Sequence, residues 1–108
     1  MTVSETLALV RKLVLQGEVL VSGHAYDRLE ESAISTRDIE AGLAAAVAVE
    51  DYPDAHRGPS VLALQVDQSG RPIHVVWGLR KGTSSPAVLI TAYRPDPELW
   101  SSDFRSRK

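Results

Sequence analysis

The chain has 108 residues, of which 44% are apolar and 24% charged, and its formal net charge is -2. That balance describes one water-soluble domain with a modest core. The absence of cysteine excludes disulfides, Cys-ligated zinc and thiol catalysis. No apolar run approaches membrane-spanning length, and the N-terminus lacks the basic start and long apolar block of a secretory signal. A cytoplasmic, membrane-free protein is therefore expected.

The first predicted element is a helix. Thr2-Val3-Ser4-Glu5 has capping-box spacing. Val3, Leu7, Val10 and Val14 then recur at helical intervals, with Leu13 widening the stripe. Gly17 can end the helix in a left-handed conformation. Glu18–Val21 reads as a short apolar link. Ser22 can cap a second helix running through Glu31, and Ser35-Thr36-Arg37-Asp38 opens a third that reaches about Ala46, with Ile39 and Leu43 inward.

The periodicity then changes from helical to alternating. Val47–Tyr52 is consistent with a short strand ended by Pro53-Asp54, and a loop with His56, Gly58 and Pro59 follows. Val61–Val66 alternates, Asp67-Gln68-Ser69-Gly70 is a turn, and Ile73–Arg80 and Ala87–Tyr93 are further strands. Pro95 and Pro97 stop pairing. A short C-terminal helix with Leu99, Trp100 and Phe104 on its apolar side completes the order. Helices followed by hairpin-connected strands imply an α+β domain over residues 1–108: N-terminal helices packed on an antiparallel sheet of three to four strands.

Charge is unevenly distributed. Residues 1–70 carry five Lys/Arg against eleven Asp/Glu, whereas residues 71–94 carry Arg71, Arg80, Lys81 and Arg94 with no acid. An acid-free basic stretch can meet a phosphate backbone. The ordinary alternative is that strands simply hold few carboxylates.

Within this framework certain residues can carry chemistry. His24 and Arg28 are one helical turn apart, so an imidazole and a guanidinium share a face and can contact one phosphate. They equally make an ordinary surface pair. On the Ile73–Arg80 strand, Ile73, Val75, Trp77 and Leu79 form one side and His74, Val76, Gly78 and Arg80 the other. His74 then faces away from the better core, and Gly78 leaves space for a ligand backbone. Thr91 and Tyr93 share one strand face and Arg94 takes the other. Tyr93 can hold a phosphate or donate a proton, and Arg94 can stabilise developing negative charge. Arg80, Lys81, Thr91 and Arg94 complete a substrate-binding set. Zinc held by His24, His56 and His74 would lack clustered spacing, and the reading calls for no metal or cofactor.

Several pieces, in order, carry a resemblance: Gly17-Glu18, Ser22-Gly23-His24-Ala25 and Arg28, Ile34-Ser35 leading Asp38-Ile39, and Glu50-Asp51-Tyr52-Pro53. Pro72-Ile73-His74-Val75-Val76 follows, then Ile90-Thr91-Ala92-Tyr93-Arg94-Pro95-Asp96 with Trp100 and Phe104. The chain resembles the small bacterial proteins of the domain of unknown function 4258 family. That family is similar to the RelE-like toxin fold, within the barnase, EndoU and colicin nuclease group. The resemblance implies a ribonuclease toxin of the RelE and MqsR kind, neutralised by a small antitoxin, often of the YgiT zinc-finger type. It places His24, Arg28, His74 and Tyr93 at the catalytic positions and Thr91 as a weaker fifth. The acidic balance departs from the basic character common among RNA-cleaving toxins.

Two functions are therefore expected as rivals. The first is a metal-independent endoribonuclease toxin acting on RNA or ribosome-bound mRNA. His24 or His74 would be its base, Arg28 and Arg94 its phosphate clamp, and Tyr93 an orienting donor or acid. The second is a non-catalytic protein-binding module that keeps the same fold.

Overall fold

A computed structural model describes residues 4–108. Helix α1 (Glu5–Leu15) starts where the Ser4 hydroxyl accepts from the Leu7 amide at 3.0 Å. The same hydroxyl donates to the Asp51 carboxylate at 3.0 Å, tying the helix start to a strand. Ser4 is thus the cap; Thr2 and Val3, the expected start of a capping box, lie outside the described residues. Gly17, at φ 78°, turns the chain out of the helix.

The short apolar link is in fact a strand, β1 (Val19–Val21). Three residues are too few to show alternation, and the pairing that defines the strand is with a segment far along the chain. Helix α2 (Gly23–Ser32) follows, capped by Ser22 accepting from the Ala25 amide at 3.0 Å. Helix α3 (Thr36–Gly42) is capped in the same way by Ser35. A single 3-10 turn, Leu43–Ala45, prolongs it almost to the expected end. The Arg11 guanidinium of α1 donates to the carbonyls of Leu43 and Ala46, satisfying the chain where the helical bonds stop.

Strands β2 (Val47–Tyr52), β3 (Ser60–Val66), β4 (Pro72–Gly78) and β5 (Ala87–Tyr93) then form one sheet with β1, in the order β1-β5-β4-β3-β2. The β2–β3, β3–β4 and β4–β5 pairs are antiparallel, whereas β1 runs parallel to β5 with Val19 opposite Ala87. The sheet is therefore five-stranded and mixed, not an antiparallel sheet of three or four strands. The α+β class holds.

The helices cover one face. Leu7, Val10 and Leu13 of α1, Ala25 and Leu29 of α2, and Ile39 and Leu43 meet Val61, Ala63, Ile73, Val75, Trp77 and Leu89 of the sheet. Burying a side chain such as Val10 or Ile39 contributes about 1.5–3 kcal/mol. The one polar side chain from the strands in this layer, Gln65, donates to the Ile39 carbonyl at 2.8 Å and accepts from the Trp77 indole at 3.0 Å. No buried side-chain polar atom is left without a partner among the described residues.

No C-terminal helix forms. Asp96 accepts from the Glu98 amide through its carboxylate and from the Leu99 and Trp100 amides through its carbonyl, making a tight turn. Asp103 then accepts from Ser101 and the Arg105 amide, and Phe104 takes a positive φ of 59°. Two Asp-centred turns outcompete helical propagation in so short a segment. Trp100 bridges back to Arg107, so residues 96–108 form a compact hook instead.

The β2–β3 loop fits against the β4–β5 loop only because Gly58 has no side chain. Its φ is 125°, and a Cβ there would lie 2.1 Å from the Leu79 carbonyl oxygen and 2.6 Å from the Lys81 nitrogen. Gly58→Ala is expected to lower stability by about 2 kcal/mol or more, combining backbone strain with overpacking. A urea midpoint unchanged from wild type would refute this account of the loop.

Candidate functional site

Alternation along β4 puts Ile73, Val75 and Trp77 into the helix-covered core and His74 on the other face of the sheet. The pairing register then sets its neighbours. His74 stands opposite Leu64 of β3 and Tyr93 of β5. Val76 stands opposite Leu62 and Thr91, and Leu62 opposite Glu50. This face therefore carries His74, Tyr93, Thr91 and Glu50 in one layer.

His74 is not half exposed, as a solvated sheet face would leave it. Its exposure is 0%, because the 96–108 hook folds over it. The Trp100 ring lies edge-on at 4.4 Å between centroids, and Tyr93 lies edge-on at 5.4 Å. Nε2 is 2.8 Å from the Phe104 carbonyl oxygen, and Nδ1 is 3.2 Å from the Tyr93 hydroxyl. A carbonyl can only accept, so Nε2 carries the hydrogen. In the neutral ring, Nδ1 is then the acceptor for the Tyr93 hydroxyl. Burial pushes the imidazole below its ordinary pKa, offset in part by the Phe104 carbonyl. Burial likewise pushes the Tyr93 phenol up. The result is a directed chain, Tyr93 O–H to Nδ1 and Nε2–H to Phe104, with a half-buried tyrosine at its outer end.

A second set borders the first. Glu50 accepts from Arg107 Nε and Nη2 at 2.7 and 3.1 Å and from the Tyr52 hydroxyl at 2.6 Å. The Arg107 hydrogen bonds hold the Glu50 carboxyl below its usual range. The Arg107 guanidinium carbon lies 4.7 Å from the Trp100 ring centroid, so the same cation grips both the sheet and the hook.

The remaining sequence candidates fall elsewhere. His24 and Arg28 are exposed on α2, whose Ala25–Leu29 side packs into the helix-covered core. The sheet thus lies between that core and the face carrying His74, and Arg28 pairs with Glu31 at 3.5 Å. The four expected residues do not converge on one concave surface; two of them, His74 and Tyr93, touch. Arg94 donates to Asp67 at 2.7 Å and to the Pro72 carbonyl at 3.2 Å, fastening the β3–β4 turn to the end of β5. It is a clasp in this conformation rather than a free phosphate clamp. Arg80 and Lys81 are exposed beyond the opposite end of β4, about 20 Å away along the strand. The acid-free stretch of sequence is therefore not one patch in space. Gly78 leaves no bare spot either, since a Cβ there would meet Ile90 Cδ1 at 2.7 Å.

Two concavities lie apart from this chemistry. One of about 590 Å³ is lined by Glu5, Thr6, Leu9 and Asp51, and one of about 200 Å³ by Arg11, Leu15 and Glu40. No group of three or more His, Asp or Glu is arranged to hold a metal among the described residues.

Residues 21–94 match the family described as domain of unknown function DUF4258. The chain belongs to that family. No curated protein and no solved structure gives a match. The DUF4258 segment runs from Val21, the last residue of β1, to just past β5, so it includes His24, Arg28, His74 and Tyr93 and stops before the hook. Glu50 and Tyr52 were missed as site residues, although their i, i+2 spacing on the predicted Val47–Tyr52 strand puts them on one face. Trp100, the Phe104 carbonyl and Arg107 were not, because nothing in an irregular segment announces where it folds back.

The buried neutral imidazole makes stability depend on pH. An unfolded chain protonates His74 near pH 6.5, whereas the folded chain resists until lower pH. As pH falls through and below that value the unfolded state binds the extra proton, and stability drops. Glu50 adds the same sign at lower pH, below its ordinary 4.5. His74→Gln is expected to flatten the acid-side slope just below pH 6.5, as measured by urea midpoints across pH. An unchanged slope would show that His74 does not carry it.

Proposed function

We propose that this DUF4258 protein is a metal-independent endoribonuclease of the bacterial toxin type, acting through the second face of its sheet. The observation that carries the reading is the Tyr93 hydroxyl directed at His74 Nδ1, with Nε2 fixed by the Phe104 carbonyl. In such a relay an RNA 2′-hydroxyl gives its proton to the Tyr93 oxygen as the Tyr93 proton passes to Nδ1. The 2′-oxygen bonds to the adjacent phosphorus, the bond from phosphorus to the 5′-oxygen breaks, and the leaving oxygen takes a proton from a water, whose hydroxide recovers a proton from Tyr93 as the Nδ1 proton returns to the phenol oxygen. The products are a 2′,3′-cyclic phosphate and a 5′-hydroxyl. The low pKa of His74 keeps its lone pair available at neutral pH. Exposed His24 and Arg28 supply separate phosphate contacts on α2. A nuclease of this kind needs a neutralising partner in its host, and a small antitoxin, such as one of the YgiT zinc-finger form, fits that need.

A second reading, a non-catalytic protein-binding module, is favoured by one observation: His74 has both nitrogens engaged and no exposure. Cleavage assays separate the two. Purified protein in excess chelator is expected to cleave labelled single-stranded RNA to cyclic-phosphate ends. Tyr93→Phe and His74→Gln are each expected to slow the reaction by about 10²–10⁴-fold while the fold persists. His24→Ala should raise the RNA concentration needed rather than abolish turnover. No cleavage under any condition, with normal growth of a bacterium making the chain alone, favours the binding module.

A further inference from the structure

The face that holds His74 is closed by the chain's own residues 96–108, and the closure is held unevenly. The inner contacts are buried: Trp100 is 4% exposed and sits against a fully buried His74. The outer contact is an ion pair at the surface, Arg107 to Glu50, in which the arginine side chain is 65% exposed. Arg105 and Lys108 flank it, both exposed and without an ion pair among the described residues. A guanidinium so placed can exchange its carboxylate for a phosphate, which it binds in the same two-pronged geometry.

We propose that residues 96–108 are a displaceable cover over the His74–Tyr93 pair, latched by Arg107 on Glu50 and drawn open by a single-stranded nucleic-acid backbone. The phosphates take Arg107, with Arg105 and Lys108 beside it, away from Glu50. Trp100 then leaves His74, and water replaces the Phe104 carbonyl as the acceptor for Nε2–H, so Nδ1 remains the acceptor for the Tyr93 hydroxyl. The uncovered face presents His74, Tyr93, Thr91 and Glu50 together. The closed form is silent, and the ligand that opens the site is the one the site is built to act on. This rests on the nuclease reading for the purpose of opening, but the opening itself is a separate physical event.

Accessibility of the three histidines reads it directly. His24 and His56 are exposed and serve as internal references. Under limiting diethyl pyrocarbonate, mass spectrometry of the wild-type protein should show both modified and His74 spared. Glu50→Gln should raise His74 modification about two- to fivefold, the range set by losing one exposed ion pair. Adding a short oligodeoxythymidylate should raise it in the wild type and much less in Arg107→Gln. Amide exchange over residues 96–108 should quicken in parallel. The oligodeoxythymidylate lacks a 2′-hydroxyl, so it opens the cover without being cleaved. If His74 reacts as fast as His24 in the resting wild type, there is no cover. If it stays protected in Glu50→Gln and with the oligonucleotide, the segment is a fixed part of the core; either result overturns the proposal. Opening by the oligonucleotide without any cleavage of RNA would leave the cover standing and remove the nuclease reading instead.

Discussion

A histidine on an inner strand of a sheet can be buried only if both ring nitrogens find partners, since an unsatisfied buried polar group costs about 1–3 kcal/mol. His74 meets that requirement with one partner from the neighbouring strand and one from a distant loop. The rest of the second face follows from this. The Phe104 carbonyl must be held in place, which requires its positive φ and the turns around Asp96 and Asp103. Those turns bring Trp100 onto the imidazole and Arg107 onto Glu50. A tail that would otherwise be solvated becomes a structural layer because one ring in β4 needs an acceptor.

The two faces of the sheet are built on different chemistry. The helix side is almost wholly aliphatic and is bridged at one point by Gln65. The hook side is aromatic and ionic, with imidazole, phenol, indole and guanidinium in contact. Aliphatic packing depends little on acid, whereas the hook side contains the buried imidazole and the Glu50–Arg107 pair, both sensitive to protonation. Mild acid should therefore act first on the hook and only later on the helix layer.

Much of this was legible in the sequence, for a clear reason. Val10, Leu13, Ile39, Ile73, Val75 and Trp77 are core residues whose periodicity reports the local element and the inward face together. Ser22 and Ser35 announce their helices by side-chain capping. What failed had no local signature. Val19–Val21 becomes a strand through a partner far along the chain. The hook is assembled by Asp96 and Asp103, whose side chains speak for turns and not for the His74 face on which those turns land. Placement of His24 opposite the His74 face depends on which side of the sheet α2 packs, and alternation within one strand cannot supply that. The basic stretch between Arg71 and Arg94 misled because strand length separates its ends and Asp67 occupies one of its cations.

The place of β5 has a consequence for the order of assembly. It is the last strand in the chain, yet it lies between β1, one of the first elements, and β4. Until β5 emerges from the ribosome, β4 has an unpaired edge and β1 has no partner at all. The N-terminal helices can form beforehand, but α2 lacks the strand against which it packs. Pairings such as Val19 with Ala87 close a long loop and are slow to find. An exposed β4 edge of Val75, Val76 and Trp77 in a growing chain is a template for mispairing. Synthesis of the stretch between β4 and the end of β5 is thus the period in which this protein most needs protection from its neighbours.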